Sequence, residues 1–216
     1  MKTFDTSLYF ITDSTGYEEN EFLARVEAAL QGGVTILQLR EKTKSTREYI
    51  TLAEKVHALT KKYNVPLIID DRVDVALAVD AEGVHLGAAD MTVSMARKIL
   101  GEEKIIGATA KTVPWAMDVA AQGADYLGVG AIYPTTTKVI TVLTSTATLH
   151  DICNAVSIPV NAIGGLNKDN IYVLSGIPIA GICAVSAIMK ADDPKAAAAE
   201  LRQEQRNWAY AERGHI

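Results

Sequence analysis

Residues Pro66 to Asp90 read PLIIDDRVDVALAVDAEGVHLGAAD. Two apolar runs, PLIID and GVHLG, bracket a segment in which Val73 to Val79 has the spacing of a short helix. The runs are nearly continuous in apolar residues rather than alternating, as expected of parallel strands covered on both faces. Strand, helix and strand thus follow one another within a single short stretch.

The same unit recurs outward in both directions. LYFIT, VTILQLR, IIGAT, YLGVGAIY, IPVNAI and GICAVSA bring the strand-like runs to eight. Between them, apolar residues fall at helical spacing over Glu19 to Gln31, Ser45 to Tyr63, Met91 to Leu100, Val113 to Gln122, Thr146 to Ala155 and Asp169 to Ser175, and from Pro194 to about Arg206. Eight repeats of strand and helix predict a closed (β/α)8 barrel. An open doubly wound sheet is the competitor, and the absence of G-x-G-x-x-G after the first run counts against it. No Pro/Ser-rich linker or charge block divides the chain, so residues 1–216 read as one domain. The tail after about Arg206, with Trp208 and Tyr210, is left without a structural assignment.

The 216 residues are 49% hydrophobic and 22% charged, with a formal net charge of −5. That balance suits a soluble globular protein. Without a Lys/Arg-rich run, it offers no face for nucleic acid or an anionic membrane, although a local basic pocket can still hold a small anion. The apolar run Leu8 to Ile11 is short and lies between Asp5 and Asp13, so it reads as neither signal peptide nor anchor. The weakly polar stretch Gly176 to Met189 is too short to span a bilayer. A cytoplasmic protein is expected, and a homo-oligomer is left open. Cys153 and Cys183 have no partners at metal-ligand spacing and read as small core residues.

In such a barrel the active site forms where strands run into helices. The second run ends QLREK, and if the strand stays extended Gln38, Arg40 and Lys42 share one side, a pocket for an anion. The plain alternative is that the cations are solvated or pair with Glu41. Asp70 and Asp71 emerge from the third run and Asp90 follows the fourth. Asp71 and Asp90 could converge on a hard cation; alternatively Asp71 caps the following helix or pairs with Arg72, and Asp90 caps the helix beginning near Met91. His85 reads as a core histidine. Thr109 stands at the fifth run's end, with Lys111 beyond it. The Thr-rich stretch Pro134 to Ser145 places Thr135, Thr136, Thr137 and Lys138 in a substrate loop. Gly164 and Gly165, with Val185 and Ser186, suit backbone binding of a phosphate, or in the glycines' case merely a tight turn.

Taken in order, QLREK, LIIDDRVDVAL, GVHLG with Asp90, PTTTK, PVNAIGG and AVSAI resemble the thiamine-phosphate synthase family over almost the whole chain. The resemblance implies a TIM-barrel transferase joining hydroxymethylpyrimidine diphosphate to hydroxyethylthiazole phosphate, giving thiamine phosphate and pyrophosphate. It implies that Gln38, Leu39, Arg40, Glu41 and Lys42 hold the pyrimidine diphosphate, with Asp70, Thr109 and Lys138. It assigns Arg40, Lys42 and Lys138 to catalysis, and Asp71 and Asp90 to Mg2+. The thiazole phosphate falls to Thr135, Thr136, Thr137, Gly165, Val185 and Ser186. The chain departs from the family pattern at Asp70 (usually Asn), Thr109 (usually Ser) and Ala88 (often Gln). The competing expectations are a thiazole tautomerase-like barrel, a non-catalytic regulatory barrel that binds thiazole phosphate, and a sugar-phosphate isomerase.

Overall fold

The computed structural model describes residues 3–135 and 142–213, with side chains through residue 207. In chain order the first half comprises β1 (Leu8–Ile11), α1 (Glu19–Gln31), β2 (Ile36–Leu39), α2 (Thr46–Lys62), β3 (Leu67–Asp70), α3 (Val73–Ala78), β4 (Gly83–Leu86) and α4 (Val93–Leu100). Then come β5 (Ile105–Ala110), α5 (Val113–Ala121), β6 (Tyr126–Gly130), α6 (Thr146–Ala155), β7 (Val160–Ile163), a 3-10 turn (Ile171–Leu174), β8 (Gly181–Ala184), α7 (Ser186–Met189) and α8 (Pro194–Arg213). All strands are parallel and pair in sequence order. Tyr9 of β1 lies beside Cys183 of β8, which closes the barrel.

Closure splits each buried strand into two kinds of position. Leu8, Phe10, Leu37, Leu39, Leu67 and Ile69 pack outward with the helices in the large core, which includes Phe22, Val26, Leu52 and Val56. Tyr9, Ile11, Ile36, Ile68, Ile105, Tyr126 and Cys183 form a second cluster inside the barrel. Each fully buried Leu or Ile contributes about 1.5–3 kcal/mol, so the outer layer supplies most of the apolar stabilisation. Inner positions nearer the strands' C-terminal ends are polar: Gln38, Asp70, His85 and Thr109 occupy them.

Helix starts are marked by hydroxyls. Ser45 and Glu48 form a capping box on α2, while Thr92, Thr112 and Ser145 accept from backbone N–H groups in the first turns of α4, α5 and α6. Helix α4 begins at Val93 rather than Met91, because Thr92 is its cap. The helix expected over Asp169 to Ser175 is a 3-10 turn, and α8 continues past Arg206 to Arg213. Among the described residues, no helix is long and apolar enough to cross a membrane.

Candidate active site

Strand β2 ends at Leu39, one residue before Arg40, so the expected triplet divides. Gln38 points into the barrel, where it is buried and donates from Nε2 to Tyr9 Oη at 2.6 Å. Arg40 and Lys42 lie on the loop above and lean over the end of β3. Lys42 Nζ stands 2.6 Å from Asp70 Oδ2 and also bonds Asp71 Oδ2, while Arg40 Nε is 3.9 Å from Asp70 Oδ2. Leu39 is buried in the outer core and offers only its backbone; its carbonyl accepts from Tyr49 Oη at 2.6 Å. Glu41 turns away from the cations' targets. Its Oε2 accepts from Ser14 Oγ at 2.9 Å, tying the loop after β2 to the loop after β1, and its Oε1 is buried without a partner.

Neither acid takes the capping role that competed for it: Thr92 caps α4, and no side chain caps α3. Arg72 pairs with Asp74 through two nitrogens, leaving Asp71 to Lys42. Asp90 Oδ2 accepts from the Gly87 N–H at 2.7 Å, folding back on the β4 turn instead of capping α4. The Asp71 and Asp90 carboxyls lie near enough to shift one another's ionisation. Asp71 is held in the left-handed region, φ 60°, with its own N–H on the His85 carbonyl at 2.9 Å.

Charge is unevenly shared in this cluster. Burial, then the adjacent Asp71 charge, pushes the Asp70 carboxyl up, against the pull of Lys42 and Arg40. Burial acts on Asp71 too, but Lys42 and Asp90 outweigh it and hold that carboxyl low. Burial and the neighbouring Asp71 raise Asp90. Burial opposes the Lys42 charge, and the two aspartates restore it and push its pKa upward. The shared ammonium serves Asp71 better because Asp70 lies deeper and loses more hydration.

Two neighbouring carboxyls are held most easily with a proton or a cation between them. Among the described residues no group of three or more His, Cys, Asp or Glu side chains could hold a metal alone. The pair nevertheless fits Mg2+, which takes one or two carboxylates and completes its shell with substrate phosphates and water.

His85 is a member of the site that sequence reasoning set aside. It is largely buried, with Nδ1 3.1 Å from Tyr126 Oη and Nε2 3.1 Å from Thr109 Oγ1. Burial of the ring pushes its pKa down to about 4, despite Asp71, so the imidazole is neutral at pH 7. Tyr9 and Tyr126 were also missed. A buried tyrosine on a covered strand looks like any core aromatic until the register shows it inside the barrel. Beside Thr109 and Asp90 a cavity of about 190 Å3 runs outward to Trp115, and Lys111 reaches away to the Val142 carbonyl at 3.3 Å.

On the opposite wall, Gly164 and Gly165 both have positive φ. A Cβ at Gly164 would lie 2.3 Å from Ala131 Cβ, and one at Gly165 2.7 Å from Tyr133 Cβ, so the loop after β6 needs both glycines to pack closely. The tight-turn explanation therefore holds for both. Val185 directly precedes α7, and Ser186 is its first residue, at the end of β8. Thr135 borders this loop; Thr136, Thr137 and Lys138 lie outside the described residues.

The fold and the site together define a (β/α)8-barrel enzyme whose mouth is built for a small anionic ligand, with two cations set against paired acids. Residues 8–188 match the family model described as thiamine monophosphate synthase. The chain is 53% identical to thiamine-phosphate synthase 2 of Streptococcus pneumoniae over 88% of its own length and 90% of that protein's. It is 46% identical to the thiamine-phosphate synthase of Methanobrevibacter smithii, with 94% and 97% covered. A thiamine phosphate pyrophosphorylase from Pyrococcus furiosus superposes with a TM-score of 0.85 at 40% identity, covering 93% of this chain and 96% of that one. The chain belongs to the thiamine monophosphate synthase family.

Proposed function

We propose that the protein is a transferase that joins hydroxymethylpyrimidine diphosphate to hydroxyethylthiazole phosphate, releasing pyrophosphate and forming thiamine phosphate. The observation that carries this is the cluster of Arg40, Lys42, Asp70, Asp71 and Asp90 at one end of the barrel. A barrel that bound only a thiazole monophosphate on the opposite wall would have no use for it. The tautomerase-like and regulatory readings leave that cluster without a task.

The C–O bond between the pyrimidine methylene and the diphosphate breaks first, and the electron-rich aminopyrimidine stabilises the cation left behind. The thiazole nitrogen's lone pair then forms the C–N bond, and no proton need move. Arg40 and Lys42 hold the leaving pyrophosphate, and the family resemblance adds Lys138 to them. Asp71 and Asp90 would hold Mg2+, whose chemistry is to neutralise charge on the diphosphate. Asp70 and Thr109 border the pyrimidine. Thr135, Thr136 and Thr137, with backbone at Gly165, Val185 and Ser186, take the thiazole phosphate and align its nitrogen. The chemistry uses no protein nucleophile. Cytoplasmic residence suits such soluble substrates.

Incubating the protein with both substrates and Mg2+ is expected to yield thiamine phosphate and pyrophosphate in equal amounts, and a chelator is expected to stop the reaction. Binding of the thiazole phosphate without product would overturn this assignment.

A further inference from the structure

Five side chains from five strands form one continuous hydrogen-bonded file across the inside of the barrel. Gln38 Nε2 donates to Tyr9 Oη at 2.6 Å, and Tyr9 Oη lies 2.6 Å from Tyr126 Oη. Tyr126 Oη is 3.1 Å from His85 Nδ1, and His85 Nε2 is 3.1 Å from Thr109 Oγ1. The file is sterically prepared. A Cβ at Gly107 would stand 2.1 Å from the Tyr126 ring, and one at Gly128 would stand 3.3 Å from His85 Cε1. The Tyr9 and Tyr126 rings meet edge to face at 5.6 Å, which fixes where their hydroxyls can be.

Each hydroxyl has one hydrogen, and inside the barrel each is spent on the next member of the file, so the first donor orders the rest. Because Gln38 donates into Tyr9, the Tyr9 hydrogen goes to Tyr126 and the Tyr126 hydrogen goes to Nδ1. A neutral imidazole that accepts at Nδ1 carries its own hydrogen on Nε2 and gives it to Thr109. The Thr109 hydrogen is then left for the mouth. We infer that Tyr126 is a positioning residue that holds His85 as the Nε2–H tautomer, so that Thr109 meets the substrate as a hydrogen-bond donor. The hydrogen so left is aimed at an acceptor, a ring nitrogen or a phosphate oxygen. The part that concerns substrate rests on the assignment of Thr109 to the pyrimidine side. The ordering of the file does not. Reversing the Gln38 amide would reverse every bond in the file and turn Thr109 into an acceptor.

The test is a two-bond 1H–15N correlation spectrum of the full chain labelled at its four histidines, with His85 assigned by its loss in His85→Gln. The parent is expected to show the Nε2–H pattern; an Nδ1–H pattern overturns the inference. Tyr126→Phe is expected to shift the ring toward the Nδ1–H tautomer and to lower kcat about tenfold, while KM for thiazole phosphate stays put. An unchanged tautomer in Tyr126→Phe removes its positioning role. Should that variant not fold, His85→Gln, which can place an amide N–H near the Nε2 position, is expected to retain more turnover than His85→Asn, and the reverse order counts against the inference. An Nε2–H spectrum from a protein that makes no product would leave the ordered file standing and refute the synthase assignment instead.

Discussion

Asp70 shares a single ammonium with Asp71, and it lies the deeper of the two. Its raised pKa has a definite sign for stability. Between the ordinary carboxylate value near 4 and the raised one, the folded chain keeps a proton that the unfolded chain has released. Asp70 therefore contributes stability at low pH that is lost as pH rises through that window. Asp70→Asn is expected to flatten this slope and to melt no lower than the parent at pH 7.5, as read from thermal melts across pH 4–8. Lys42 would then answer to one carboxylate instead of two. Freeing it from a partly exposed ion pair is worth up to about 1 kcal/mol, so KM for the pyrimidine diphosphate is expected to fall up to about fivefold. A rise in KM would show that Asp70 binds substrate instead of competing for Lys42. Spacing alone brought Asp70, Asp71 and Asp90 to notice, because strand ends are where a barrel keeps its polar groups. It did not reveal which acid takes the lysine, which depends on depth within the mouth.

At the level of elements, α1 and α6 have the bounds that their apolar spacing predicts, and α2 lies just inside its two caps. The departures have local causes. Asp90 turns back to Gly87, which leaves the first turn of α4 to Thr92, and α8 continues to Arg213 through a stretch that has no Gly or Pro to stop it. Strands covered on both faces carry no polar alternation, so sequence could not tell Tyr9 and Tyr126 inside the barrel from Leu8 and Leu127 outside it. The same lack hid His85, whose role depends on a register that only closure defines. The α2 cap lends itself to a direct test. Ser45→Ala removes the hydroxyl half of the capping box, leaving the backbone N–H on Glu48, and is expected to cost about 1 kcal/mol, a fall in Tm of roughly 2–4 °C, with turnover unchanged at temperatures well below melting. An unchanged Tm would mean that the loop, and not the cap, starts this helix.

For the whole molecule, the net charge of −5 and the cationic lip act in opposite directions on an anionic substrate. Near the mouth the local field dominates, because charges beyond roughly 10 Å are screened at 0.1 M salt. Raising monovalent salt from about 10 to 200 mM is therefore expected to lower kcat/KM for the pyrimidine diphosphate about threefold or more. A rise would show that the overall charge governs approach. The pairing of Tyr9 with Cys183 has a consequence of another kind. Translation delivers β1 near the beginning and β8 near the end, at roughly 5–20 residues per second. For on the order of ten seconds, an apolar strand with one unpaired edge waits on the ribosome for a partner not yet made. During that interval the nascent chain exposes a surface open to chaperones and to neighbouring nascent chains, and the arrival of Gly181–Ala184 ends it.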